Sequence, residues 1–245
     1  VDENDFTVSG YSGVYDGESH GIGRFIWGST NYEITFKDKD GNSMLRMYEY
    51  ERIRGVVYSI TAKLEKDVLL VHPEIENTSD KEVYMYWWSN IAVDETPDTR
   101  VISPCSKSFW CAYEEGAYYL GNAGIPVNEG VDVTYTMNLE RSRDFFYKIP
   151  ENEKKWITAV DETGYGLIHM STPELTGRKV FAWGEGEGGK HWNEWLSDCG
   201  KKYIEIQAGI LKTQLEYFPM AAKATLSWTE GYGAFQGNPE ILHGK

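Results

Sequence analysis

The sequence predicts an all-β protein. Three observations support this prediction: short runs rich in Val, Ile, Tyr, Phe and Trp recur along the chain, clusters of turn-forming residues separate them, and helical periodicity is weak throughout. The chain has 245 residues and contains no low-complexity linker. We therefore expect residues 1–245 to form a single β-sandwich domain.

The predicted elements follow one another with short turns between them. Residues 38–42 and 77–82 carry the Asp, Asn, Gly and Ser that hairpin turns need. Small and polar residues between 111 and 130 predict a long loop, and residues 190–197 give the best candidate for a short helical turn. Eight runs are typical of strands, and they are 32–37, 56–64, 83–93, 132–138, 166–171, 179–184, 203–211 and 224–232.

Composition narrows the choice of partner. The formal net charge of −14 disfavours nucleic acid and anionic membrane surfaces, while nine Trp and 17 Tyr offer flat amphipathic rings that suit a carbohydrate. The sequence shows no apolar run of membrane-spanning length, and its acidic, polar N-terminus is unlike a signal peptide. Three cysteines without C-x-x-C spacing indicate a reducing, cytoplasmic setting, and scattered histidines predict neither a metal site nor a cofactor.

One glycine-rich stretch formally matches a dinucleotide fingerprint. Gly184, Gly186 and Gly189 satisfy G-x-G-x-x-G, but a long helix and a βαβ unit should surround such a loop, and neither is visible. Glu185 and Glu187 would also repel a pyrophosphate. We therefore interpret this stretch as the rim of a different site.

Three stretches together resemble one bacterial family. "LRMYEYERIRG" (45–55), "MYWWSNIAVDETPDTRVISP" (85–104) and "WGEGEGGKHWNEWLSDCGKKYIEIQAG" (183–209) are similar to a family of unknown function whose members often carry tetratricopeptide repeats and whose fold is similar to galactose mutarotase. The resemblance implies a β-supersandwich, two large antiparallel sheets with a sugar-sized cleft, and a repeat domain as a partner. Members of the family begin with additional strands before the part that matches Gly21, and this sequence lacks them, so we expect an N-terminal portion to be missing.

The resemblance nominates Glu205 as a catalytic base. Mutarotases carry this base in an E-x-Q element, and Glu205 and Gln207 match that element on a late strand. Strand alternation places both side chains on one face, which is equally typical of a simple solvated face. The mutarotase acid is a His in a T-N-H element, but Ile91 occupies the matching position, which argues against anomer interconversion.

A second carboxylate could complete a catalytic pair. Glycosidic cleavage needs two carboxyl groups, and Glu194 is the natural partner for Glu205; Glu194 is equally compatible with a solvent-facing position in a short turn. Adjacent Trp87 and Trp88 must point to opposite faces of a strand, so we expect one in the core and the other available to stack on a sugar. The candidate substrate-binding residues are Trp87, Trp88, Asn90, Trp183, His191, Trp192, Gln207 and Arg46.

These observations lead to one functional hypothesis and two alternatives. The hypothesis is a domain that recognises a neutral sugar or oligosaccharide in a Trp-lined cleft. The alternatives are a glycoside hydrolase using Glu194 and Glu205, and a non-catalytic scaffold whose acidic surface contacts a partner.

Overall fold

A computed structural model describes residues 7–8, 25–26, 32–114, 117–197 and 200–243 of the chain. Cys199 and His20 lie outside these residues. In chain order the elements are β1 Thr7–Val8, β2 Phe25–Ile26, β3 Tyr32–Lys37, β4 Ser43–Glu51, β5 Val56–Glu65, β6 Val68–Asn77, β7 Val83–Met85, β8 Trp88–Asp94, β9 Arg100–Ile102, β10 Lys107–Glu114, β11 Ala117–Gly124, β12 Val127–Asn128, β13 Val131–Asp132, a 3-10 helix Thr136–Asn138, β14 Arg143–Tyr147, β15 Lys155–Val160, β16 Tyr165–Ser171, β17 Gly177–Ala182, α1 Glu187–Leu196, β18 Tyr203–Gly209, β19 Phe218–Met220, β20 Thr225–Ser227, β21 Glu230–Gln236 and α2 Pro239–His243.

The all-β prediction is confirmed, and two local predictions are wrong. The run 132–138 is not a strand, because the Asp132 carboxylate accepts the Thr134 N–H at 3.0 Å and the Asn138 amide donates to the Asp132 carbonyl at 2.9 Å, which folds the chain into turns. The predicted loop 111–130 is largely a hairpin of β10 and β11, in which Trp110 pairs with Gly121. A side chain at Gly121 would overlap the Trp110 indole, so the small residues there serve strand packing.

The described chain divides into two compact units. Unit 1 comprises Val1–Ser89, Ser171–Leu175 and Gly209–Gly233, and unit 2 comprises Asn90–Met170, Thr176–Ala208 and Ala234–Lys245. Each unit has its own strands and buried side chains.

Unit 1 contains an antiparallel sheet. Strands β3 to β6 follow one another in the chain and pair as neighbours, and β21 and β20 both pair with β6. The turn after β3 forms because the Asp38 carboxylate accepts the N–H groups of Asp40 and Asn42, both at 2.9 Å. Gly41 takes a positive φ of 87° in that turn, a conformation that glycine adopts without a steric penalty. The turn chemistry predicted for residues 38–42 therefore matches the structure.

Asn77 is a buried connector at the end of β6. Its amide donates to the carbonyls of Lys81 at 2.8 Å, Ala221 at 2.9 Å and Met220 at 3.3 Å, and its Oδ1 accepts the Ser79 hydroxyl at 2.7 Å. The amide thus fixes the turn after β6 and the segment that follows β19. Next to this turn, β7 pairs antiparallel with β19.

The sheet of unit 2 runs in the order β11-β10-β14-β17-β18-β8, where β8 begins two residues before the unit. Strand alternation gives it one apolar face, to which β17 contributes Val180 and Ala182 and β18 contributes Ile204 and Ile206. Ile157 and Ala159 of β15 belong to the same buried cluster. The opposite face of β17 and β18 carries polar and aromatic side chains, and it holds most of the candidate site.

The helix α1 confirms the predicted helical turn and begins three residues earlier than expected. It follows Gly184, whose φ is 80°, and a side chain there would overlap the backbone of Arg141. Buried Asn193 donates to the Gly189 carbonyl at 3.3 Å, and the Ser197 hydroxyl donates to the Asn193 carbonyl at 2.6 Å where the helix ends. Tight glycine turns and local side-chain bonds therefore fix this helix between β17 and β18.

Candidate carbohydrate site

Glu205 is held at the centre of the polar face of β18. The Asn90 amide donates to its Oε2 at 2.6 Å, and the Gln207 amide donates to the same oxygen at 2.8 Å. Gln207 is buried, whereas Glu205 is half-buried. Two donors on Oε2 orient the carboxylate, and no hydrogen bond among the described residues uses Oε1, so this oxygen can accept a ligand hydroxyl.

Asn90, and not Ile91, is the β8 residue that faces Glu205. Ile91 packs with Val93 against the buried cluster of unit 2. Strand alternation turns residue 91 away from the Glu205 carboxylate, so the residue that matches the mutarotase acid in the sequence is the neighbour of the residue that contacts Glu205. The Asn90 Oδ1 atom is buried and accepts no hydrogen bond from the described residues, which leaves a second acceptor next to Glu205.

Aromatic rings border this polar set on one side. Trp183 follows β17 and contacts Phe181 edge-to-face at 4.7 Å between ring centroids. It contacts Tyr203, which lies two residues before Glu205, in the same manner at 5.9 Å. These rings share the non-core face because residues 181 and 183 alternate with the buried Val180 and Ala182.

Tyr203 connects the aromatic and polar parts of the site. Burial raises the pKa of its phenol, and the negative charge of Glu205 raises it further. The phenol therefore stays protonated near neutral pH and can donate a hydrogen bond. Sequence reasoning missed Tyr203, although its position two residues before Glu205 was a usable signal.

The helix α1 presents the remaining candidates to solvent. Trp192 stacks on Trp183 at 6.3 Å with an interplanar angle of 22°, and Trp195 contacts Trp192 edge-to-face at 5.3 Å. His191 lies on the exposed surface with its ring 6.5 Å from that of Trp192, and Glu194 is also exposed. Among the described residues, no hydrogen bond links Glu194 to Glu205, whose partners are Asn90 and Gln207.

A half-buried ion pair joins the turn before α1 to the start of β18. The Lys202 ammonium contacts both carboxylate oxygens of Glu185, at 2.5 and 2.6 Å. Buried Glu95 lies beside this pair, its backbone N–H bonded to the Lys202 carbonyl at 2.9 Å. Burial, together with the nearby charge of Glu185, raises the pKa of Glu95. The pair holds the Trp-rich segment against β18.

A second ion pair lies on the same face of the sheet and was also missed. The Lys179 ammonium is 2.7 Å from Asp144, and it lies 5.5 and 5.8 Å from the ring centroids of Phe146 and Phe181. Asp144 and Phe181 are paired residues of β14 and β17. The alternation of Lys179, Phe181 and Trp183 along one predicted strand was the signal that could have identified this face.

Three candidates, Trp87, Trp88 and Arg46, lie in unit 1. Trp87 and Trp88 are both buried, so the expectation that one ring is free to stack on a sugar is wrong. Trp87 packs against Tyr58 at 6.4 Å and Trp228 at 5.2 Å. Trp88 packs over Gly209, so the adjacent rings of Trp87 and Trp88 are both covered by other parts of the chain.

The third unit 1 candidate, Arg46, has partners on neighbouring strands. Its guanidinium donates to the Ser59 hydroxyl at 3.1 Å and to Glu74 at 3.4 Å. This agrees with the ion-pairing role that a surface strand arginine commonly has.

Within the ranges that the structure describes, no helix is long and apolar enough to cross a membrane.

The fold is that of a mutarotase-like β-sandwich protein. Residues 29–226 match the family described as a domain of unknown function, DUF5107. The chain belongs to that family, which confirms the family resemblance seen in the sequence.

Solved structures show the same fold. A TPR-domain containing protein from Parabacteroides distasonis is similar with a TM-score of 0.71 and 18% identity, over 94% of this chain and 37% of that one. A putative aldose 1-epimerase from Escherichia coli is similar with a TM-score of 0.62 and 10% identity, over 94% of this chain and 82% of that one. A putative mutarotase from Salmonella typhimurium is similar with a TM-score of 0.59 and 10% identity, over 95% of this chain and 72% of that one. The chain thus spans 37% of the TPR-domain protein.

Proposed function

We propose that unit 2 binds a neutral carbohydrate on the face of β18 that carries Glu205. The observation that supports this best is the fixed carboxylate: Asn90 and Gln207 both donate to Oε2, beside the rings of Tyr203 and Trp183. Sugar binding uses this combination, because hydroxyl groups need oriented acceptors and the C–H face of a pyranose ring needs an apolar surface.

The second oxygen of the Glu205 carboxylate defines how the ligand is recognised. No hydrogen bond among the described residues uses Oε1, so it can accept a hydroxyl group of the sugar. Tyr203 supplies a protonated phenol as a donor. An anionic sugar is disfavoured by the carboxylate at the centre of the site and by the net charge of −14.

Recognition requires fewer assumptions than catalysis. Glycosidic cleavage would need a second carboxyl group across the bond from Glu205, and Glu194 is exposed on α1. Mutarotation would need an acid where Asn90 now faces Glu205. The TPR-domain neighbour supports a repeat domain as a partner of this domain in a longer protein.

The test uses Trp fluorescence and isothermal titration calorimetry with a panel of neutral sugars. Saturable binding is expected, and Glu205→Gln should weaken it by about 10- to 100-fold, since hydrogen bonds to a charged group contribute about 1.5–3 kcal/mol. Glu194→Gln is the matched control, because it removes an exposed carboxylate from the same unit. The proposal fails if no neutral sugar binds or if Glu205→Gln binds as tightly as the wild type.

The same panel separates binding from hydrolysis. A reducing-sugar assay should show no product for any oligosaccharide. Hydrolysis that disappears in both Glu194→Gln and Glu205→Gln would instead identify a carboxylate pair and replace the binding proposal with the glycosidase alternative.

A further inference from the structure

The rings of unit 2 form a continuous path from the Glu205 strand to solvent. Tyr203 contacts Trp183, Trp183 stacks on Trp192, and Trp192 contacts Trp195, with centroid separations of 5.9, 6.3 and 5.3 Å. The first rings are half-buried, while 46% of Trp192 and 70% of Trp195 are exposed. The path therefore leads outward from the polar set along α1.

Trp195 is not needed to attach the helix. Trp192 already anchors α1 through its stacking on Trp183, and buried Asn193 fixes the helix from inside. A Trp that is 70% exposed gains little from folding, and exposed apolar patches commonly mark a binding surface. Leu196 lies next to Trp195 in the chain and is 46% exposed, but it carries no ring on which a sugar could stack.

We propose that the rings of Trp192 and Trp195 bind further sugar units of an oligosaccharide whose terminal unit lies against Glu205. This inference rests on the proposed function of the Glu205 site and names its ligand class as an extended neutral chain. The occupant follows from continuity, because the exposed rings connect to the proposed site through direct ring contacts. A row of four rings also offers more stacking surface than one pyranose can cover.

Calorimetry with neutral oligosaccharides of one to six units, from gluco-, galacto-, manno- and xylo- series, tests this inference. The wild type should bind the longest member of its preferred series more tightly than the shortest. Trp195→Ala should lower the affinity for the longest member by roughly tenfold, which corresponds to about 1.4 kcal/mol, and leave the shortest unchanged. Trp195→Phe should recover part of the loss, since it keeps a ring.

Leu196→Ala is the matched control, because it truncates an exposed apolar neighbour that is not a ring. It should leave affinity unchanged for every length. Affinity that does not rise with length, or an equal loss for short and long ligands in Trp195→Ala, would overturn the inference while Glu205→Gln still identifies the site. Absence of binding to every series would overturn the proposed function and this inference together.

Discussion

Gly209 lies against Trp88, and adding one methyl group there should destabilise unit 1. A Cβ at Gly209 would stand 2.5 Å from Cδ2 and 2.7 Å from Cζ2 of the Trp88 indole, and closer still to Cε2. Trp88 is buried, so its ring cannot turn into solvent to make room. Overpacking of this kind typically costs 1–3 kcal/mol.

Gly209→Ala should therefore lower the free energy of unfolding by about 2 kcal/mol. In a chain of this length that corresponds to a decrease in Tm of about 4–8 °C. Urea unfolding followed by far-UV circular dichroism and Trp fluorescence measures the change. Gly188→Ala is the control, because a Cβ there meets open space within α1 and should stabilise the protein by up to about 1 kcal/mol.

A second substitution shows whether the clash is with the indole. Trp88→Phe removes one ring of the side chain, so the double variant with Gly209→Ala should lose less stability than the two single changes added together. If Gly209→Ala unfolds within about 0.5 kcal/mol of the wild type, the close packing of this pair does not explain the glycine.

The remaining predictions concern charged and titratable groups in unit 2. Lys202→Met should lower the free energy of unfolding by about 1–2 kcal/mol in urea, because it leaves Glu185 unpaired beside Glu95; an unchanged midpoint would contradict this. The pKa of Glu95 in the folded protein is raised above its ordinary value of 4.5. The contribution of Glu95 to stability therefore falls as the pH rises from 4.5 through the raised pKa. Glu95→Gln should flatten this dependence of the urea midpoint on pH, measured from about pH 4 to 8. Burial raises the pKa of Cys105 to about 12 and of Cys111 to about 11, so iodoacetamide at pH 8 should label both slowly until urea is added, as read by mass spectrometry.

Strand alternation made much of the fold predictable. Residues 32–37 form a strand as predicted, and the run 203–211 contains β18, because apolar and polar residue types alternate along both stretches of sequence. Strand alternation gave a wrong prediction at 132–138, because hydrogen bonds to the Asp132 carboxylate fold this stretch into turns. At Gly121 a residue typical of loops is required by the Trp110 ring, and a strand partner is not visible in local sequence.

The candidate site was predictable only along single strands. Alternation alone put Glu205 and Gln207 on one face. The ion pair of Lys179 and Asp144 depends on how β14 and β17 pair, which local patterns do not encode. For the same reason, sequence could not show that Trp88 is covered by neighbours, and the expectation of an exposed ring was wrong.

The hydrogen bonds of Asn77 also constrain the order in which unit 1 can form during synthesis. Its amide meets carbonyls that lie 143 and 144 residues later in the chain. At about 5–20 residues per second, a ribosome needs on the order of 10 to 30 s to add them. Until then the amide lacks two acceptors and β7 lacks its partner β19. The turn after β6 is thus completed late, and a nascent chain must keep this edge unpaired in the meantime.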